Sequence, residues 1–298
     1  MNARHAHHGI SRIDTVIVLV VVCGSLALGL LVVVPAFKLQ RRTAYRMVCS
    51  GNLMRIGKAM MTYADDYDGA LPAGGTEGTI WGPGLHDWKA KGRDEAFGSD
   101  ANGGGGQATI SSSLFLLVKY GGLSPELFVC WKDKRTSAFW PKKHGIAVEE
   151  LAGVWDFGPN PAEHCSYAYH MPFSQYSLKT SVGPSVPVAA DRNPWIDGPW
   201  RKAGEFSQFT SNYAPFKGSP EEARQGNSKS HGCDGQNVLF IDTHVEFAKW
   251  ASCGLEDDNI YTSWDGDNKM RGVPPKAYES LPAHELDSLL VNDPPLER

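Results

Sequence analysis

From Thr15 to Phe37 the chain contains no Asp, Glu, Lys or Arg, and no other feature narrows its fold as far. As a helix rising 1.5 Å per residue, these positions run about 34 Å, enough to cross a hydrocarbon layer of about 30 Å. The run reads as a membrane span. A secretory signal that is removed has a shorter apolar core and then a small-residue cleavage site, whereas Pro35-Ala36-Phe37 leads into more helix-like sequence, so the span is expected to stay. Asp14 stands at its mouth. A carboxylate so close to hydrocarbon is costly unless it lies shallow or a cation answers it. Pro35 removes a backbone donor near the far end, which predicts a bend or local melting about Val32 to Pro35.

Beyond the span, Tyr45, Cys49, Leu53, Ile56, Met60, Ala64 and Tyr67 recur at spacings of three and four, which is one apolar stripe on a helix. Such a stripe is core that packs on a globular domain, not a cofactor site. Asp68-Gly69 ends the helix and Pro72 prevents its return. The expectation is one long helix from about Ile10 to Tyr67, half in the membrane and half against the domain. Taking away the first 37 residues leaves about 260, enough for one large core.

That domain reads as short strands and loops. Residues 73–108, rich in Gly and Asp and including the run Gly103 to Gly106, predict a long surface loop of the inserted kind. An amphipathic helix is expected from Ser112 to Tyr120, ended by Gly121 and Gly122. Strands are expected at Leu127–Trp131, Cys165–His170 and Val186–Ala190, and no internal repeat is visible. Asn237 to Phe247 predicts a hairpin joined at Asp242-Thr243. Thr disfavours the positive φ that Gly would allow there, so the turn is expected to be longer or bulged. A single continuous strand would instead put Asp242, His244 and Glu246 on one face, a set that could bind metal or serve acid–base chemistry. A net charge of −4 gives no reason to expect a nucleic-acid partner.

The stretch HHGISRIDTVIVLV resembles the prepilin-type signal of type IV pilins and type II secretion pseudopilins. The resemblance implies that residues 1–9 are a leader, that a prepilin peptidase cuts between Gly9 and Ile10, and that Ile10 becomes N-methylated. Asp14 is then the fifth mature residue, where the family has Glu, and it would pair with the new amino terminus of a neighbouring subunit. Pro35 lies one turn deeper than the family's proline. Domain boundaries follow: 10–37 in the membrane, 38–68 as the second half of the helix, and 69–298 as the globular domain. The fold class is α+β, a long N-terminal membrane-spanning helix packed on an antiparallel β-sheet, pilin-like with long loops. The basic residues Lys38, Arg41, Arg42 and Arg46 after the span would by themselves place that side in the cytoplasm. The prepilin-type leader implies the reverse, and the domain is expected in the periplasm.

Further on, Cys-x-x-Asn-Leu-x-x-Ile-Gly-x-Ala followed by Tyr-x-x-Asp-Tyr-x-Gly-x-Leu-Pro resembles a large pseudopilin-like family of planctomycetes and related bacteria. LFVCWKDKR, SYAYHM, SVPVAAD and SHGCDGQNVLFIDTHVEF extend the likeness. The family's last signature is His, nine residues, then Asp-Gly, whereas His231 here is followed by ten residues and then Asp242-Thr243. Five of the six cysteines lie outside the span and none forms C-x-x-C, which argues against a zinc ribbon or thioredoxin-like site. Some should pair in an oxidising compartment, and a Cys49–Cys130 bridge would staple helix to domain, although the sequence leaves connectivity open. Asp265, Asp267 and Asn268, with Asp257 and Asp258 nearby, are oxygen ligands suited to calcium, and some pseudopilins hold calcium near the C-terminus. No other cofactor is expected.

Together these features predict a structural subunit, not an enzyme. It would assemble through its N-terminal helices and meet the peptidase, a secretion or pilus assembly platform, and the inner membrane. The competing expectation is a membrane-anchored periplasmic binding protein or hydrolase using His231, Asp242 and His244, against which stands the lack of a nucleophile elbow, P-loop or metalloprotease helix.

Overall fold

The computed structural model describes residues 12–196, 224, 226–265 and 268–295, with backbone alone at 14, 32, 38, 39, 265 and 268–271. The chain divides into two compact units, 1–44 and 45–298, taken here in turn. One helix, α1 (Arg12–Asp66), supplies nearly all that is described of the first.

In the first unit α1 is apolar on every side. Ile13, Leu28 and Phe37 are exposed, as are the large apolar side chains described between them. This is a helix long and apolar enough to cross a membrane, with a mean hydropathy of 3.1 over its best window. The helix continues through Pro35, so the local melting expected there does not occur. Proline takes the donor from one carbonyl only, that of Leu31. The turns on either side keep theirs, and no water is at hand in an apolar stretch to reward unwinding.

In the second unit Cys49, Leu53, Ile56, Met60 and Ala64 of α1 are buried, as the stripe requires. Each large apolar side chain so buried contributes on the order of 1.5–3 kcal/mol. Tyr67 departs from the stripe, because it follows the last helical turn and is 40% exposed. Its ring stacks on Tyr63 with centroids 4.1 Å apart. The stop lies where expected: Asp68 and Gly69 both take positive φ, and Gly69 N donates to Ala64 O at 2.9 Å.

The Gly-rich segment after the helix is packed, which corrects the surface loop expected there. It contains β1 (Ile80–Trp81), α2 (Arg93–Phe97) and β2 (Gln107–Ala108), and buries Trp81, Ala96, Phe97 and Ala108 in the core. Its aromatic residues pull it inward, while positive φ at Gly103, Gly105 and Gly106 turns the chain into β2. Next comes α3 (Ile110–Lys119), buried from Ile110 to Val118 and so not amphipathic. Its serines can be buried because the N-terminus is fully capped: Thr109 Oγ1 accepts from Ser112 N at 2.9 Å, and the Asp293 carboxylate accepts from Ile110 N and Ser111 N at 2.9 and 2.8 Å.

The strand expected at Leu127–Trp131 is instead a 3₁₀ turn, Pro125–Phe128, since proline at a first helical position presets that φ. Strands β3 (Tyr167–His170), β4 (Pro187–Asp191), β5 (Gln236–Phe240), β6 (Val245–Ala248) and β9 (Leu290–Val291) form one antiparallel sheet in the order β6-β5-β4-β3-β9. A separate ribbon is made of β7 (Ser263–Asp265) and β8 (Asn268–Val273). The fold class is therefore α+β, with a long apolar N-terminal helix and a five-stranded antiparallel sheet. Alternation along the strands gives the sheet two buried faces. Tyr167, Tyr169, Leu239 and Val291 join the α1 stripe and α3, while Ala168, Ala190, Val238 and Leu290 pack with Ile260 and Tyr261.

Helix and sheet meet closely at Gly57, where an added Cβ would lie 2.6 Å from Leu239 Cδ1. A disulfide between Cys49 and Cys130, Cα–Cα 5.4 Å, joins the helix to the segment after the 3₁₀ turn. Closing a loop of 81 residues contributes about 4.5 kcal/mol in the chain-entropy account. The β5–β6 connection is a bulged hairpin turn: Thr243 N donates to Phe240 O at 2.9 Å, Phe240 N to His244 O at 3.0 Å, and Thr243 sits at φ 71°. Asp242, His244 and Glu246 therefore do not lie along one continuous strand.

Candidate functional site

Four segments far apart in sequence converge on the Cys49–Cys130 bridge. Cys49 comes from α1 and Cys130 follows the 3₁₀ turn. His231 closes a second 3₁₀ turn, Lys229–His231, opened by Ser228 and ended by left-handed Gly232 and Cys233. Asp191 is the last residue of β4, and Asn237 is the second of β5.

The turn that carries His231 is held from below. Gln236 Oε1 accepts from Ser228 N at 3.3 Å, while its Nε2 donates to Trp250 O at 2.8 Å. Asn227 Nδ2 donates to Lys249 O at 2.7 Å. The His231 ring meets Phe247 edge to face at 6.0 Å, and the Arg46 guanidinium covers Phe247 at 4.0 Å while pairing with Asp234 at 3.0 Å. These contacts fix the imidazole in place and bury it.

At the centre, His231 Nε2 lies 3.8 Å from Cys130 Sγ and 3.3 Å from Asp191 Oδ2. Asn237 Nδ2 is 3.1 Å from each of Asp191 Oδ2 and His231 Nε2, so its two N–H groups can serve one apiece. Asn237 N also donates to Asp191 Oδ2 at 2.6 Å. The other carboxylate oxygen, Asp191 Oδ1, is buried with no hydrogen-bond partner among the described residues. Cys49, Cys130, Asp191 and Asn237 are each 1% exposed or less. Cys130 also lines a cavity of about 530 Å³, together with the exposed Trp131 and Trp140.

Other candidate residues lie elsewhere. Gly9, Ile10 and Asp267 fall outside the described residues. Asp14 lies on α1, and Asp265 and Asn268 face each other in register where β7 meets β8, all three with backbone alone described. Asp258 is held by Trp264 Nε1 at 2.8 Å and Ser288 N at 2.9 Å, and burial pushes its carboxyl up to about 7, which makes it a structural acid. Asp242 and His244 are exposed and pair with each other at 2.5 Å. The His244 backbone and ring hold the Asp242 carboxyl below its usual range.

His231 and Asp242 flank opposite ends of β5. Asn237, which touches His231, is five residues from Asp242, about 16 Å along an extended strand. His231 is thus part of the buried cluster, and Asp242 is part of a surface turn. Asp191 and Asn237 were the residues that sequence reasoning passed over. One signal was visible: each is a polar residue at the end of a strand that is otherwise largely apolar, Asp191 closing VPVAAD and Asn237 following Gln236 into VLF.

Compared with protein-family models, curated proteins and solved structures, the chain matches none.

Proposed function

We propose that the chain is a pilin-like structural subunit that enters a type II secretion or type IV pilus-like fibre. The carrying observation is α1: in one continuous 55-residue helix it bears an apolar segment with every side exposed and then a segment with one buried stripe. Such a rod can rest in a bilayer and exchange that surroundings for the apolar segments of neighbouring copies. In this reading residues 1–9 are removed after Gly9, Ile10 supplies a methylated amine, and Asp14 of one copy answers it in its neighbour. Pairing relieves two charges that would each cost several kcal/mol alone in a low-dielectric setting. The second unit lies in the periplasm and supplies the fibre surface.

The test is direct. Intact mass of the membrane form should show loss of MNARHAHHG and gain of one methyl group, and Asp14→Ala should leave the second unit folded while blocking fibre incorporation. A native product that begins at Met1, or normal assembly of Asp14→Ala, would overturn the reading.

A further inference from the structure

We infer that the Cys49–Cys130 bridge is one of two states of its site, and that in the reduced state Cys49 Sγ, Cys130 Sγ, His231 Nε2 and Asp191 Oδ2 hold a single zinc ion. Among the described residues, Cys49, Cys130 and His231 are the group whose ligand atoms converge, all within 4.8 Å of one another. A zinc tetrahedron with Zn–S about 2.3 Å and Zn–N and Zn–O about 2.0 Å has an N–O edge of about 3.3 Å and S–N edges of about 3.5 Å. The site shows 3.3 Å between His231 Nε2 and Asp191 Oδ2 and 3.8 Å between His231 Nε2 and Cys130 Sγ. His231 Nε2 already stands near coordinating separation from both Cys130 Sγ and Asp191 Oδ2, while the Asp191 carboxylate, outside the convergent set of Cys49, Cys130 and His231, closes on the sulfurs as the ion enters.

The hydrogen bonding points the same way. With the two Asn237 N–H groups directed to Asp191 Oδ2 and His231 Nε2, the imidazole carries its proton on Nδ1 and its one free lone pair on Nε2, and on metal binding that lone pair passes from the Asn237 N–H to the ion. Once the disulfide is opened and the thiols lose their protons, two buried thiolates beside the Asp191 carboxylate call for a cation. Asp191 adds a buried oxygen, Oδ1, with no partner among the described residues. Two thiolates with an imidazole and a carboxylate suit zinc, and Asn237, released from His231 Nε2, keeps its backbone N–H on Asp191 Oδ2 from outside the ligand set.

The chemistry balances. A dithiol breaks the S–S bond, passes two electrons and two protons to the sulfurs, and leaves as its own disulfide. Zn²⁺ then displaces the two thiol protons, and the sulfurs move apart to an edge of about 3.8 Å.

The full-length protein in detergent micelles, reduced without oxygen and freed of reductant, should take up one Co²⁺ per chain with thiolate-to-cobalt charge-transfer and tetrahedral ligand-field bands, and Zn²⁺ should displace it. The oxidised protein should give no such spectrum. His231→Gln should weaken binding at least tenfold, and its oxidised form, melting as a folded protein, shows that the loss is not unfolding. Cys233→Ser and Cys253→Ser should keep the spectrum. Absence of the bands in the reduced wild type, binding unchanged in His231→Gln, or bands abolished by Cys233→Ser or Cys253→Ser would each overturn the inference.

Discussion

Leu28 and Leu53 lie on the same helix, yet the first is 66% exposed and the second fully buried. The difference is one of period, not of apolarity. Around Leu28 the apolar residues run without interruption, so no single protein face could cover them all. Such a surface needs a surrounding medium, either lipid or several like helices. Around Leu53 the buried apolar residues recur every third or fourth position, with Arg46, Arg55 and Lys58 among the residues between them. One sheet face suffices there, and Gly57 lets it approach to the backbone.

The sharpest way to break this contrast is a pair of matched truncations. Leu53→Ala removes a fully buried side chain of the core and should cost the second unit about 3 kcal/mol in denaturant unfolding, by lost transfer energy and the cavity left behind. Leu28→Ala should leave that unfolding transition in place. Equal losses at both positions would mean that the apolar segment is covered by this chain itself.

How far the sequence foretold these regions follows the same division. The apolar run, the stripe and the stop at Asp68-Gly69 were legible because each is a local signal written at helical period. The β5–β6 hairpin, β3 and β4 were legible as short runs broken by turns, Pro and Gly. The packed segment 73–108 was misread, since its glycines dominate the composition while a few aromatic residues decide its burial. The strand expected at Leu127–Trp131 gave way to the local preference of Pro125. Of the buried cluster, Cys49, Cys130 and His231 stood out by residue type. Asp191 and Asn237 did not, because their role depends on four segments meeting in space, which no spacing along the chain records.

The buried side of that comparison, the second unit, also carries a response to pH. Asp156, beneath the α3 cap, accepts from Thr109 Oγ1 at 2.5 Å and Phe157 N at 2.8 Å, and burial, with the Asp293 carboxylate nearby, pushes its carboxyl up to about 8. In the unfolded chain it would titrate near 4. The folded state therefore holds this proton more tightly. The contribution to stability is fully present below about pH 4 and is lost as pH rises through about 8, with a slope of up to about 1.4 kcal/mol per unit between. Asp156→Asn should flatten that slope in unfolding measured from pH 4 to 8. An unchanged slope would place its origin at another buried acid, with Asp258 the next to test.

The smallest effect lies at the far end of β5. Thr243 holds φ 71° in the hairpin turn, and a β-branched residue in that conformation costs roughly 1–2 kcal/mol. Thr243→Gly relieves this strain but gives back part of the gain as chain entropy in the unfolded state. The balance should favour the variant by about 1 kcal/mol, seen as a higher denaturation midpoint at unchanged m. Because His231 and its partners stand at the opposite end of the strand, the same substitution should leave the metal spectrum of the reduced protein as it was. A change in that spectrum would show that turn and cluster act as one signature, linked through the five residues of β5.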